Sequence, residues 1–260
     1  MHSHFIQFVD ATGARRVGSL DLHGNLATLR ATDSIYALAE RAISESTTLD
    51  ALAQEFAGER EVAEVALAGA TLLGGADHPV DEARCTLWDL SGGVRCLGDG
   101  SGLASPRRPH PATARTETLT AALCGAYLID GHQQPRRLGF GLALFGGPFS
   151  GFAFGPALFP GTEEWLEADG SRLEIAASGV DTSQTHIGLT DNAAIAESEG
   201  RLFRQPQCRR TADLHIAALT AVSLGAARAE LASVATRLSH LPLELALTTA
   251  AEPEVRTRAL

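Results

Sequence analysis

Residues 120–145 read TAALCGAYLIDGHQQPRRLGFGLALF. Two apolar runs, residues 119–130 and 137–144, flank a polar centre at Gly131, and both are rich in residues that favour strands. This predicts a β-hairpin, and with it a β-rich second half of the chain. Side chains alternate along a strand, so Thr120 and Ala122 fall on one face. The hairpin carries no acidic residue at either position, nor anywhere in residues 142–150.

The surrounding sequence extends this reading. FIQFV at residues 5–9 predicts a short strand closed by the turn signal at residues 10–13, and residues 16–22 a second strand ending at His23, Gly24 and Asn25. Asp33 or Ser34 caps a predicted helix carrying Ile35, Leu38, Ala39 and Ala42 on one face, and Thr48 starts another through Phe56. From about Ala68 the pattern becomes short strands separated by Gly, Pro and Asp, the signature of a curled sheet or barrel. Residues 105–114 read as a Pro-rich surface loop. In residues 223–238, Leu224, Ala227, Leu231, Val234 and Leu238 recur at helical spacing and predict a helix. Residues 241–248 predict a strand.

Composition bounds the function. The chain has 260 residues, 45% hydrophobic and 20% charged, with a formal net charge of −10. That charge excludes a basic groove for a nucleic acid. No apolar run reaches the roughly 18 residues a membrane span needs, and MHSHFIQF does not read as a secretory signal, so a cytoplasmic location is expected. All 21 cationic side chains are arginine, which removes lysine Schiff-base and lysine acid/base chemistry. Cys85, Cys96, Cys124 and Cys208 form no CxxC pair, which argues against a structural zinc.

Several collinear segments resemble the fumarylacetoacetate hydrolase (FAH) superfamily, nearest the branch of sugar-acid dehydratases acting on 2-keto-3-deoxy acids. They are FIQFVDATGARRVGSLD at 5–21, DSIYALAERAISESTTLDALAQEF at 33–56, LLGGADHPVDEARCTLWDLSG at 72–92, GDGS at 98–101, FAFGPALF at 152–159, LFRQPQ at 202–207 and DLHIAALTAVSL at 213–224. The resemblance implies an α+β fold, with a small α/β N-terminal domain over residues 1–67. An FAH-like mixed β-sheet roll or barrel follows over residues 68–252, and residues 253–260 read as a disordered tail. It also implies pairing into a homodimer, or a heteromer with an active paralogue.

Such enzymes resemble one another in holding a divalent cation on acidic residues, which stabilises an enolate as a bond breaks. The positions matching the acid-x-acid pair are Thr120 and Ala122, and the third acid matches Phe145. Leu97 stands where the resemblance implies a lysine. The segment between Trp88 and Arg95 is short where it implies a lid with a catalytic histidine. Together these departures imply a degenerate member without cofactor or metal, a pseudoenzyme or binding partner. The alternative is a repurposed, metal-independent lyase, isomerase, hydrolase or cyclase acting on a small carbonyl compound.

Candidate residues for that second reading are few. His186 with Asp181 is either an acid/base pair or a loop histidine with a hydrogen-bonded carboxylate. His215 and Asp213 are placed on one face of a predicted strand, with Thr220 reaching the same cavity; the other reading of His215 is a satisfied inner-wall histidine. Cys96 beside Arg95 is either an activated thiol or an ordinary one. Glu163, Glu164, Glu197 and Glu199 read as solvated surface acids. The Gly- and Phe-rich run at 141–156, with Phe145, Phe149, Phe152 and Phe154, reads as an apolar loop lining or plugging the vacated site, or packing a partner subunit.

Overall fold

In the computed structural model the residues described are 4–21, 23–103, 117–146, 152–155, 157–160, 172–178, 185–227, 243–249 and 252–258. The chain opens with β1 (His4–Val9), β2 (Arg15–Leu20) and β3 (Asn25–Leu29), then α1 (Ile35–Ser44), α2 (Leu49–Phe56), β4 (Ala57–Val62), α3 (Ala63–Ala66) and β5 (Thr71–Leu72). Both helices start where the caps predict. The Ser34 hydroxyl accepts from the Ala37 N–H, and the Thr48 hydroxyl accepts from the Ala51 N–H. The buried face of α1 is Ile35, Tyr36, Leu38, Ala39 and Ala42.

β6 (Cys85–Asp89) and β7 (Arg95–Asp99) form a tight hairpin. β8 (Glu117–Ile129) and β9 (Pro135–Gly146) form the long one read from the sequence. β10 (Phe152–Phe154) and β11 (Ala157–Leu158) follow, then β12 (Arg172–Ser178), β13 (Thr185–Asp191), α4 (Asn192–Leu202), β14 (Leu214–Ala227), β15 (Leu243–Thr249) and β16 (Glu252–Arg258).

Three sheets result. The first has the order β11-β1-β2-β3-β4, with β5 also on β1, so it takes strands from both sides of residue 67. The second runs β10-β9-β8-β14-β6-β7 and is mixed, since β14 pairs parallel to β6 and antiparallel to β8. The third runs β13-β12-β15-β16. A single apolar cluster joins Phe5, Val17, Leu29 and the inner faces of α1 and α2 to Ala122, Cys124, Ala126 and Leu128 of β8 and to Leu214, Ile216 and Ala218 of β14. Strand β8 is buried from Ala122 to Ile129 on both faces, which is why it reads as an unbroken apolar run.

Aspartates close three hairpins in the same manner. The Asp10 Oδ1 accepts from the N–H of Thr12 and Ala14, the Asp21 Oδ1 from His23 and Asn25, and the Asp130 Oδ1 from His132 and Gln134. These are Asx turns, in which the side chain stands in for a backbone acceptor. Burial opposes ionisation of Asp130, but its backbone donors and the Arg136 guanidinium outweigh it and hold the carboxyl below the usual range.

One expectation is corrected. Residues 223–227 belong to strand β14, not to a helix, because the ladder with β8 continues to Ala227 opposite Glu117. Two bulges in β14 keep that pairing, and the pairing overrides a helical spacing carried mostly by residues beyond 227, outside the described residues. Glu252–Arg258 forms β16 on β15. It is an edge strand, where Pro253 needs no backbone donor.

Candidate functional site

Register fixes where the resemblance would put a metal. Thr120 lies directly opposite Phe145, and Ala122 opposite Ala143. Because β8 alternates regularly, Thr120 and Ala122 share the face of Cys124, Ala126 and Leu128, which is the face of the main core. Ala122 and Ala143 are fully buried there, beside Phe152 and Phe154. Leu97, at the position of the implied lysine, is extruded by a bulge between β6 and β7 and packs against the same cluster, as do Leu103 and Ala221.

Hard divalent cations need several oxygen ligands. Among Thr120, Ala122 and Leu97 the Thr120 hydroxyl is the sole oxygen ligand, and Ala122 is packed in the apolar core. These three described residues offer a divalent ion one oxygen ligand among them. Among the described residues no group of three or more His, Cys, Asp and Glu side chains is placed to hold a metal.

The described part of the Gly- and Phe-rich run packs closely on its neighbours. Phe154 lies over Gly141, where a Cβ would come within 2.8 Å of its ring, and Gly155 packs its backbone on Gly75. Phe152 pairs with Phe145 across β9–β10. Phe149 and the side chain of Phe145 lie outside the described residues.

The short segment after Trp88 is the β6–β7 turn. The Asp89 Oδ1 accepts from the Ser91 N–H and hydroxyl at 3.0 and 2.7 Å, and its Oδ2 takes the Arg95 guanidinium at 2.7 Å. Arg95 is thus engaged with Asp89. Cys96 is exposed, and its Sγ lies 4.0 Å from the Gly98 carbonyl. The other three thiols are buried; burial pushes Cys208 up to about 12 and raises Cys85 and Cys124 as well.

His215 is fully buried, on the other face of the sheet from the main core. It pairs across β14–β8 with Tyr127. The Trp88 Nε1–H donates to its Nδ1 at 3.2 Å, so the ring proton sits on Nε2, which has no partner. Burial lowers its pKa to about 4, and the Asp213 charge only partly opposes that. Asp213 bonds Arg84 at 3.0 Å and makes no hydrogen bond to His215. The bulge at Leu219 turns Thr220, opposite Leu123, onto the His215 face, where it is half-buried. His186 lies on β13 opposite Ala177, with its side chain outside the described residues, as is all of Asp181.

Other polar features escape the sequence. Gln7, fully buried in β1, donates to the Gly74 carbonyl and Asp77 and accepts from the Ile35 N–H and Arg15. Glu199, read as a solvated acid, is held by Arg137 at 2.7 and 2.6 Å. A helix turns about 100° per residue, so Glu197 and Glu199 point to different sides. The signal available was Ile195, Glu199 and Leu202 at helical spacing, with Ile195 and Leu202 buried.

A half-open cavity of about 840 Å³ lies at the turn end of the β8–β9 hairpin. Residues of α1, the α1–α2 connection, residues 135–138, Tyr127, Glu199 and Phe203 line it. His215 does not.

No family model matches the sequence, and no curated protein matches it. Solved structures do. A 2-keto-3-deoxyarabinonate dehydratase matches at 13% identity, covering 98% of each chain, with a TM-score of 0.51. A 2-keto-3-deoxy-D-arabinonate dehydratase complexed with magnesium and 2,5-dioxopentanoate matches at 11% identity, 98% of each chain and a TM-score of 0.53. The protein Cg1458 with inhibitor matches at 8%, 98% of each chain and 0.50. The chain has an FAH-like fold. At these identities the likeness is one of fold. Among the described residues no helix is long and apolar enough to cross a membrane.

Proposed function

We propose that this FAH-like chain does not perform metal-dependent bond cleavage and acts as a pseudoenzyme, a binding or partner protein. The observation that supports this is that Ala122 and Ala143 are buried in the apolar core, with Leu97 packed against the same cluster. In an enzyme of this type, bound metal offsets charge developing on an enolate. Ala122 and Leu97 offer no ligand for that role. On this reading the chain works in the cytoplasm as a homodimer, or paired with an active paralogue that supplies the chemistry.

The test is calorimetric titration with magnesium and manganese, together with turnover assays on 2-keto-3-deoxy sugar acids. The expected result is no saturable metal binding and no metal-dependent turnover. Turnover that requires magnesium and disappears with chelator would overturn the reading.

A further inference from the structure

We infer that the arginine-rich turn after α4, residues 201–210, is a docking surface for a carboxylate-rich peptide segment of a partner protein. The inference goes beyond the proposed loss of metal-dependent cleavage, because it names the chemistry of a partner. Its test reads peptide binding alone, so the two readings fail separately.

Residues 200–212 carry Arg201, Arg204, Arg209 and Arg210 and no acid. The whole chain has 31 acids against 21 arginines, so this stretch runs against its overall charge. The fold anchors the turn from beneath. Leu202 and Cys208 are buried, and Phe203 meets Tyr127 edge-on at 5.2 Å. The Phe203 N–H donates to the Glu199 carbonyl, the Gln205 N–H to Leu202 and the Cys208 N–H to Gln205. With the apolar side chains turned inward, Arg204, Arg209 and Arg210 are left exposed. Arg204 and Arg209 are at most about 17 Å apart along extended chain, and a turn brings them closer.

Charge decides the partner. The neighbouring acids are already engaged. Glu199 is held by Arg137 at 2.7 and 2.6 Å, and Asp213 takes Arg84 at 3.0 Å and, more distantly, Arg210 at 3.8 Å. Glu197 lies one helical turn before Arg201 and offsets its charge, and Arg201 donates to the Ser198 hydroxyl at 3.1 Å. Arg204 and Arg209 have no carboxylate partner among the described residues. The surplus charge therefore rests on these two guanidiniums, with a share from Arg210. Guanidinium forks match carboxylates in a planar, bidentate fashion. An extended acidic run of about four to six residues spans roughly 13–20 Å, enough to reach both. A nucleic acid fits less well, since its continuous phosphate charge meets a chain of net charge −10.

The test uses the full chain and three labelled probes, a short capped polyglutamate peptide, its polyglutamine counterpart and an oligothymidylate of similar length, followed by fluorescence anisotropy. The polyglutamate peptide should bind saturably, more weakly as salt rises, and the polyglutamine peptide should not bind. The double variant Arg204→Gln with Arg209→Gln removes two exposed ion pairs and should lower peptide affinity about fivefold or more. Arg60→Gln, an exposed arginine on β4, should leave it unchanged. All these positions are exposed, so the variants should fold, as a thermal melt verifies. The inference is overturned if polyglutamate does not bind, if polyglutamine binds alike, if the double variant loses less than that, or if Arg60→Gln costs as much. Oligothymidylate binding as tightly as the peptide would overturn it in favour of a nucleic-acid surface.

Discussion

The indole N–H of Trp88 donates to Nδ1 of His215 at 3.2 Å, across neighbouring parallel strands and away from water. That bond fixes the tautomer and makes the neutral ring the one the fold accommodates. Desolvation does the rest, lowering the pKa of His215 to about 4. In the unfolded chain the same group titrates near 6.5, so between these values the unfolded state binds more protons. Stability conferred by the neutral ring is full above about pH 6.5 and declines as pH falls toward 4, by about 3 kcal/mol in all. Urea unfolding between pH 4 and 7 should show this slope. His215→Asn, which keeps an acceptor for Trp88 but cannot titrate, should flatten it; an unchanged slope would sink the assignment.

Restoring acids to the hairpin should not restore a metal site. Ala122 is fully buried among alkyl side chains. A carboxylate there has no cation to meet, and an unpaired buried charge costs several kcal/mol. Ala122→Glu is expected to lower the melting temperature sharply, with no recovery on adding magnesium. Recovery with magnesium would show that the surrounding groups can still form a coordination shell.

Gln7 explains why part of the fold was legible and part was not. Its strand was visible as FIQFV, and both helices were visible through Ser34 and Thr48, because capping and periodicity are local properties. The β8–β9 hairpin was legible for the same reason, as two apolar runs around a turn. What Gln7 does is not local. It links β1 to residues 74 and 77 and to the first helical N–H at Ile35, contacts that only the folded chain brings together. Likewise, the packing of Ala122 with Leu97 and Phe152 joins residues far apart in sequence. The strand continuing through residues 223–227 depends on β8 as a template, which helical spacing does not reveal.

Gln7→Leu keeps the volume and removes both ends of this network. It leaves the Ile35 N–H and the Gly74 carbonyl without their partner in a buried setting. Each such orphan costs about 1–3 kcal/mol, so the variant should lose roughly 2–6 kcal/mol in denaturant titration. A loss under about 1 kcal/mol would mean that water or a neighbour replaces Gln7.

Gly155 tests how the two halves of the chain are held together. Its φ is +99°, and its backbone lies so close to Gly75 that an added Cβ would run into the Gly75 nitrogen. The hydrogen bond from the Gly75 N–H to the Phe154 carbonyl, at 2.8 Å, locks the same contact. Gly155→Ala therefore meets two separate penalties, a left-handed backbone and a clash with main chain that cannot rotate away. We expect destabilisation of roughly 1–3 kcal/mol, measured by thermal or chemical unfolding. Gly131, by contrast, has open space around its Cβ position and an ordinary φ, so Gly131→Ala should fall within about 0.5 kcal/mol of the parent. If both variants behaved alike, the close approach of Gly155 to Gly75 would not be what joins this strand to the N-terminal sheet.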